Sequence, residues 1–120
     1  SLFIEPDPVQ LAVAEALGAA VVELHTGTYV EAVFAGESAR AEAELARLRE
    51  ASAAGAARGL EIHAGHGLTF DTVKPVAAIP EIRELNIGHF LMGEAIFTGL
   101  DAAVSRMRAL IEEARAEMAA

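Results

Sequence analysis

The stretch Glu61 to Phe70, EIHAGHGLTF, decides how this chain folds: an alternating run breaks into Gly65-His66-Gly67 as a new segment begins. Leu60, Ile62 and Ala64 fall on one face of a strand over residues 60–64, with Glu61 and His63 on the other, because strand side chains alternate. A second piece answers it. Leu85 to Met92, LNIGHFLM, ends a strand over 83–87 in Gly88-His89, with Leu85 and Ile87 opposed to Glu84 and Asn86. Glycine in such turns lets a backbone N–H approach a ligand closely, and histidine brings a proton that moves near neutral pH. The helix start that follows offers unpaired donors to an anion.

Working outward, Ser1 to Glu5 alternates as a strand, with Leu2 and Ile4 on one face and Phe3 and Glu5 on the other. Asp7-Pro8 supplies an N-cap and a first-turn proline for a helix over 8–17, which Gly18 closes. Ala20 to His25 is a second strand with Val22 and Leu24 opposed to Val21, Glu23 and His25, and Thr26-Gly27 ends it. Residues 28–36 read as a short helix or a lid carrying Tyr29, Val33 and Phe34. A long helix from a cap at Ser38 to Arg58 turns Leu45 and Leu48 inward and Arg40, Glu44, Arg47 and Glu50 outward. Gly55 weakens it and Gly59 ends it. After the Gly-His-Gly turn, Asp71 is expected to cap a helix over 72–78 in which Lys74 is solvated, and Ile79-Pro80 to stop it. Beyond the fourth strand, a short helix runs from His89 or Phe90 to Phe97 and Gly99 interrupts. Asp101 is then read as the cap of a last helix with a buried stripe of Val104, Met107, Ile111, Ala114 and Met118.

Strand and helix thus alternate through four units, which implies a parallel sheet with right-handed crossovers. Central strands of an open doubly wound sheet are apolar on both faces. Three of these strands instead place carboxylates, His or Asn on one face, as the lumen and mouth of a β/α barrel do. The fold class expected is α/β, a single domain over residues 1–120 that forms the last four units of an eight-unit TIM barrel of about 250 residues. The chain opens without Met inside a strand, so a piece of a longer protein is expected.

Composition narrows the partners. Hydrophobic content of 53% with 5% aromatic suits helices packed on aliphatic strands. No run reaches the ~20 apolar residues of a membrane span, and a net charge of −9 disfavours nucleic acid, whose phosphates reward basic patches. Small phosphorylated ligands remain compatible, because helix N-termini bind phosphate whatever the global charge. No cysteine is present, so a disulfide framework is excluded. The N-terminal residues show no export pattern, and a cytoplasmic setting is expected.

In β/α barrels the strand C-termini carry the active site, and the last two strand–helix loops with a small extra helix often hold phosphate. Gly67, Gly88 and the amide of His89 are then the natural phosphate donors; a purely structural turn is the other reading of each glycine. His66, between two glycines, is placed to act as a general acid, or is a surface loop histidine. Glu23 points to the same lumen, either to steady positive charge or as a carboxylate paired with a neighbouring His or Arg. His25, His63 and Glu61 read as satisfied polar groups lining the barrel. All four histidines lie near strand ends, yet HAGH is not a standard zinc spacing and no cysteine assists, so no metal site is expected.

VELHTGTY, AGHGLTFDTVKPVAAIPEIRELNIGH and AIFTGLDAAVSRMRALI closely resemble the C-terminal half of the pyridoxine 5′-phosphate synthase family, over nearly all of the chain. The resemblance implies a TIM barrel that condenses 1-deoxy-D-xylulose 5-phosphate with 3-amino-2-oxopropyl phosphate, releasing phosphate and water, with no metal or organic cofactor. By matching motif, His66 of AGHGL resembles the family's proton donor and Glu23 of VELHTG its transition-state stabiliser. Gly67, Gly88 and His89 resemble contacts to the amino-oxopropyl phosphate. Two positions beside the site depart from the pattern: His63 stands where the family commonly has Asn, and a common His near Asp71 is replaced. The family's proton-accepting residues and most contacts to deoxyxylulose phosphate belong to the first four strands. The resemblance therefore implies a missing N-terminal half, an isolated chain that is inactive, and a homo-oligomeric parent. Two rival readings are a non-catalytic phosphate-binding α/β module, with helices on both sheet faces, and a half barrel that closes by self-association.

Overall fold

Runs of period two separated by runs of helical period form, over residues 1–119 described by the computed structural model, four strands and six helices. They are β1 (Leu2–Ile4), α1 (Pro8–Ala16), β2 (Val21–His25), α2 (Gly27–Phe34), α3 (Ser38–Ala57), β3 (Glu61–Gly65), α4 (Val73–Ala77), β4 (Ile82–Asn86), α5 (His89–Thr98) and α6 (Leu100–Ala119). Every strand pair is parallel and the order is β1-β2-β3-β4. One sheet face presents Val22, Leu24, Ile62, Ala64 and Ile82, all buried with Leu11, Leu45 and Leu48 from α1 and α3. The other face carries half-buried Glu23 and His63 and exposed Glu84 and Asn86. A sheet helix-covered on one side and polar on the other is half of a β/α barrel; a module with both faces covered does not fit.

Local chemistry accounts for most boundaries. The Asp7 carboxylate accepts from the Val9 N–H at 2.9 Å, so α1 begins as expected. Of residues 28–36, those up to Phe34 belong to helix α2, whose Tyr29, Val30 and Ala32 are buried while Phe34 is exposed. Four expectations need correction. Glu37, not Ser38, occupies the cap position of α3. Asp71 is exposed and does not cap α4; Thr72 holds the cap position, and its hydroxyl accepts from the Thr69 N–H at 2.9 Å. Lys74 pairs with Glu113 at 3.1 Å and Glu117 at 3.3 Å on α6, and these partners raise its pKa. In α6, Asp101 lies within the first turn, and the buried line runs through Ala103, Met107 and Ala114, leaving Val104 and Met118 exposed. The helix packs on α4 and α5 and not squarely on the sheet, which rotates its inward face.

The β3–β4 register contains a bulge. Ile62 pairs with Ile82, but His63 pairs with Glu84 and Gly65 with Asn86, so Arg83 is the extra residue. Strict alternation from Ile82 would turn Glu84 toward the core and Leu85 toward the polar face. The bulge restores the phase, and Arg115 of α6 donates to the carbonyls of Pro80 and Ile82 beside it.

Candidate active site

Parallel strands deliver their C-terminal ends to one rim, and the two Gly-His turns meet there. A cavity of about 500 Å³ is lined by Phe3, Glu23, His66, Gly67, Gly88 and His89, among others. All five residues singled out as candidates therefore share one pocket. Glu23 reaches it from β2, His66 and Gly67 from the turn after β3, and Gly88 and His89 from the start of α5.

Each turn has its own local cause. His66 adopts φ +90° and Gly67 φ +82°. The first is a conformation that costs a non-glycine residue about 1–3 kcal/mol. Gly65 is required by contact: a Cβ there would stand 2.7 Å from the Asn86 carbonyl oxygen and 3.2 Å from the Glu23 carboxylate. The space it leaves lets the Asn86 amide donate to Glu23 across β3. Glu23 is thus held by an amide from β4, and the His or Arg partner considered for it is not the one it has. At Gly88 a Cβ would meet nothing within 4 Å and φ is −121°, so the chain's own sterics do not demand glycine there. The first amides of α5 have no intrahelical acceptor and no side chain caps them.

The remaining polar groups are accounted for. His63 lies 2.7 Å from Glu61 and 3.8 Å from Glu84, a satisfied wall group as expected. His25 accepts from the Gly27 N–H at 2.9 Å, and its ring lies 4.4 Å from that of His66. Sequence reading missed Asn86 as Glu23's partner, Thr26 as the anchor of the His66 turn, and Phe3 as a pocket wall. Asn86 and Phe3 had a signal, since alternation put Asn86 on the polar face of β4 and Phe3 on the face of β1 away from Leu2 and Ile4.

The family model for the pyridoxal phosphate biosynthesis protein PdxJ matches residues 1–113. The chain belongs to the PdxJ family. It is 64% identical over 118 residues to pyridoxine 5′-phosphate synthase of Caulobacter vibrioides (strain NA1000 / CB15N), covering 98% of this chain and 46% of that protein. The synthase of Caulobacter sp. (strain K31) is 58% identical over 120 residues, covering 100% of the chain and 48% of the relative. That of Rhodospirillum rubrum is 62% identical over 114 residues, covering 95% and 45%. The chain spans about half the length of the curated relatives it matches. Membership of this TIM-barrel family agrees with the four-strand parallel sheet. Among the described residues no helix is long and apolar enough to cross a membrane.

Proposed function

We propose that this chain supplies one wall of a pyridoxine 5′-phosphate synthase site, the wall that takes 3-amino-2-oxopropyl phosphate for condensation with 1-deoxy-D-xylulose 5-phosphate. The observation that carries this reading is the convergence of His66, Glu23 and the Gly67, Gly88 and His89 backbone on one cavity. The free amides at the start of α5, with Gly67 opposite, bind the phosphate of the amino-oxopropyl substrate, because helix N-termini attract anions. His66, exposed at the rim, donates a proton to the oxygen that leaves during condensation. Glu23, fixed by Asn86, stabilises the positive charge that develops at the substrate amine. No metal or organic cofactor is assigned to these steps.

The deoxyxylulose phosphate contacts and the proton acceptors are assigned to the portion of the relatives that this chain does not span. The chain alone is therefore expected to bind 3-amino-2-oxopropyl phosphate without making product. Titrating that compound, or inorganic phosphate, should move the amide resonances of Gly67, Gly88 and His89. Unmoved amides would sink the binding assignment, and pyridoxine 5′-phosphate made by the purified 120-residue chain would overturn the division of labour.

A further inference from the structure

We propose that the consecutive residues His25-Thr26-Gly27, at the end of β2, form a seat that positions the His66 imidazole, each fixing a different part of it. The functional meaning of the seat rests on the proton-donor reading of His66; its geometry does not.

Thr26 holds the backbone. It is fully buried, its N–H donates to the Gly65 carbonyl at 2.9 Å, and its hydroxyl is shared between the carbonyls of Gly65 at 2.8 Å and His66 at 2.7 Å. The peptide units on both sides of His66 are thereby tied to β2, which sustains the uncommon φ at that residue. Such a hydroxyl would ordinarily be available to cap α2, but no side-chain cap bond is made there.

His25 holds the ring. Its imidazole stacks on that of His66 with centroids 4.4 Å apart and planes 35° apart, while Phe3 sets an edge against both, at 5.0 and 6.3 Å. The Gly27 N–H donates to His25 Nδ1 at 2.9 Å. Accepting that bond requires a lone pair on Nδ1, so the proton sits on Nε2 and the ring is neutral. A neutral wall lets His66 carry the proton it delivers without a like charge beside it.

Gly27 leaves the room. It opens α2 without a positive φ, so the backbone does not require glycine, yet a Cβ would stand 2.3 Å from His25 Cε1 and 3.0 Å from His66 Cδ2. The space a side chain would fill is taken by the two imidazoles.

Nitrogen-15 spectra of the histidine side chains in the 120-residue chain test this directly. The expected result is an unprotonated Nδ1 at His25 and nuclear Overhauser contacts between the His25 and His66 rings. In Gly27→Ala, a helix-favouring change, the circular dichroism and melting temperature should be kept while the ring-to-ring contacts and the fixed His25 tautomer are lost. A protonated Nδ1 in the unsubstituted chain, or contacts that persist in Gly27→Ala, would overturn the proposal. Should Gly27→Ala fail to fold, the unsubstituted spectrum still decides. The phosphate titration reads the functional assignment separately: intact ring signatures with no phosphate response leave the seat standing without it, and the reverse result removes the seat alone.

Discussion

Tyr29 is the chain's one tyrosine and no tryptophan accompanies it, so its ionisation can be followed by ultraviolet absorbance without interference. Its hydroxyl donates to the buried Thr72 carbonyl at 3.2 Å. Burial raises its pKa, Glu42 raises it further, and Arg49 opposes them. A folded-state pKa above the unfolded one contributes stability that is intact below the unfolded value, about 10, and is lost as pH rises through the folded value. Phenolate absorbance should therefore lag that of free tyrosine until the chain unfolds in alkali. A native circular dichroism spectrum with phenolate already formed at the ordinary pH would contradict this. At this scale the sequence was readable where chemistry repeats a local pattern: Gly65-His66-Gly67, Gly88-His89 and the inward phase of Glu23. His25, Thr26 and Asn86 escaped because their importance lies in contacts between strands, and those depend on register and on how far one side chain reaches over a glycine.

Among the elements, strands and helices fell where periodicity put them, with ends moved by a residue or two. The errors fall at helix caps and where a helix packs on other helices. In α5 no residue is buried, although His89 to Thr98 is largely apolar, and α6 turns Ala103 inward in place of Val104. Nothing in a single helical stripe specifies that rotation, which is set by α4 and α5 together. Gly99, which separates α5 from α6, was legible, and its φ of +88° with ψ of 148° lies near a region almost confined to glycine. Gly99→Ala should lower stability by about 1–3 kcal/mol, read from the urea midpoint. No change in that midpoint would mean that the α5–α6 corner relaxes freely.

For the whole molecule, the polar sheet face was the sequence feature that separated a barrel half from an open sheet. The sheet order leaves β1 and β4 each with one neighbour. Near the first, α1 exposes Val9, Val13 and Leu17; near the other, α5 and α6 expose Ile96, Phe97, Leu100 and Val104. Exposed strand edges flanked by apolar surface favour association. Light scattering on the isolated chain should therefore return a mass above the 12.5 kDa of one copy. A monomer at every concentration would contradict that. The bulge at Arg83 has a genetic consequence. Removing the codon for Arg83 would bring Ile82 and Glu84 into regular succession, leaving Glu84 opposite His63 and Asn86 beside Glu23. A frame-preserving loss at this one position should therefore spare the pocket, because the strand beyond it keeps its partners and its two sides.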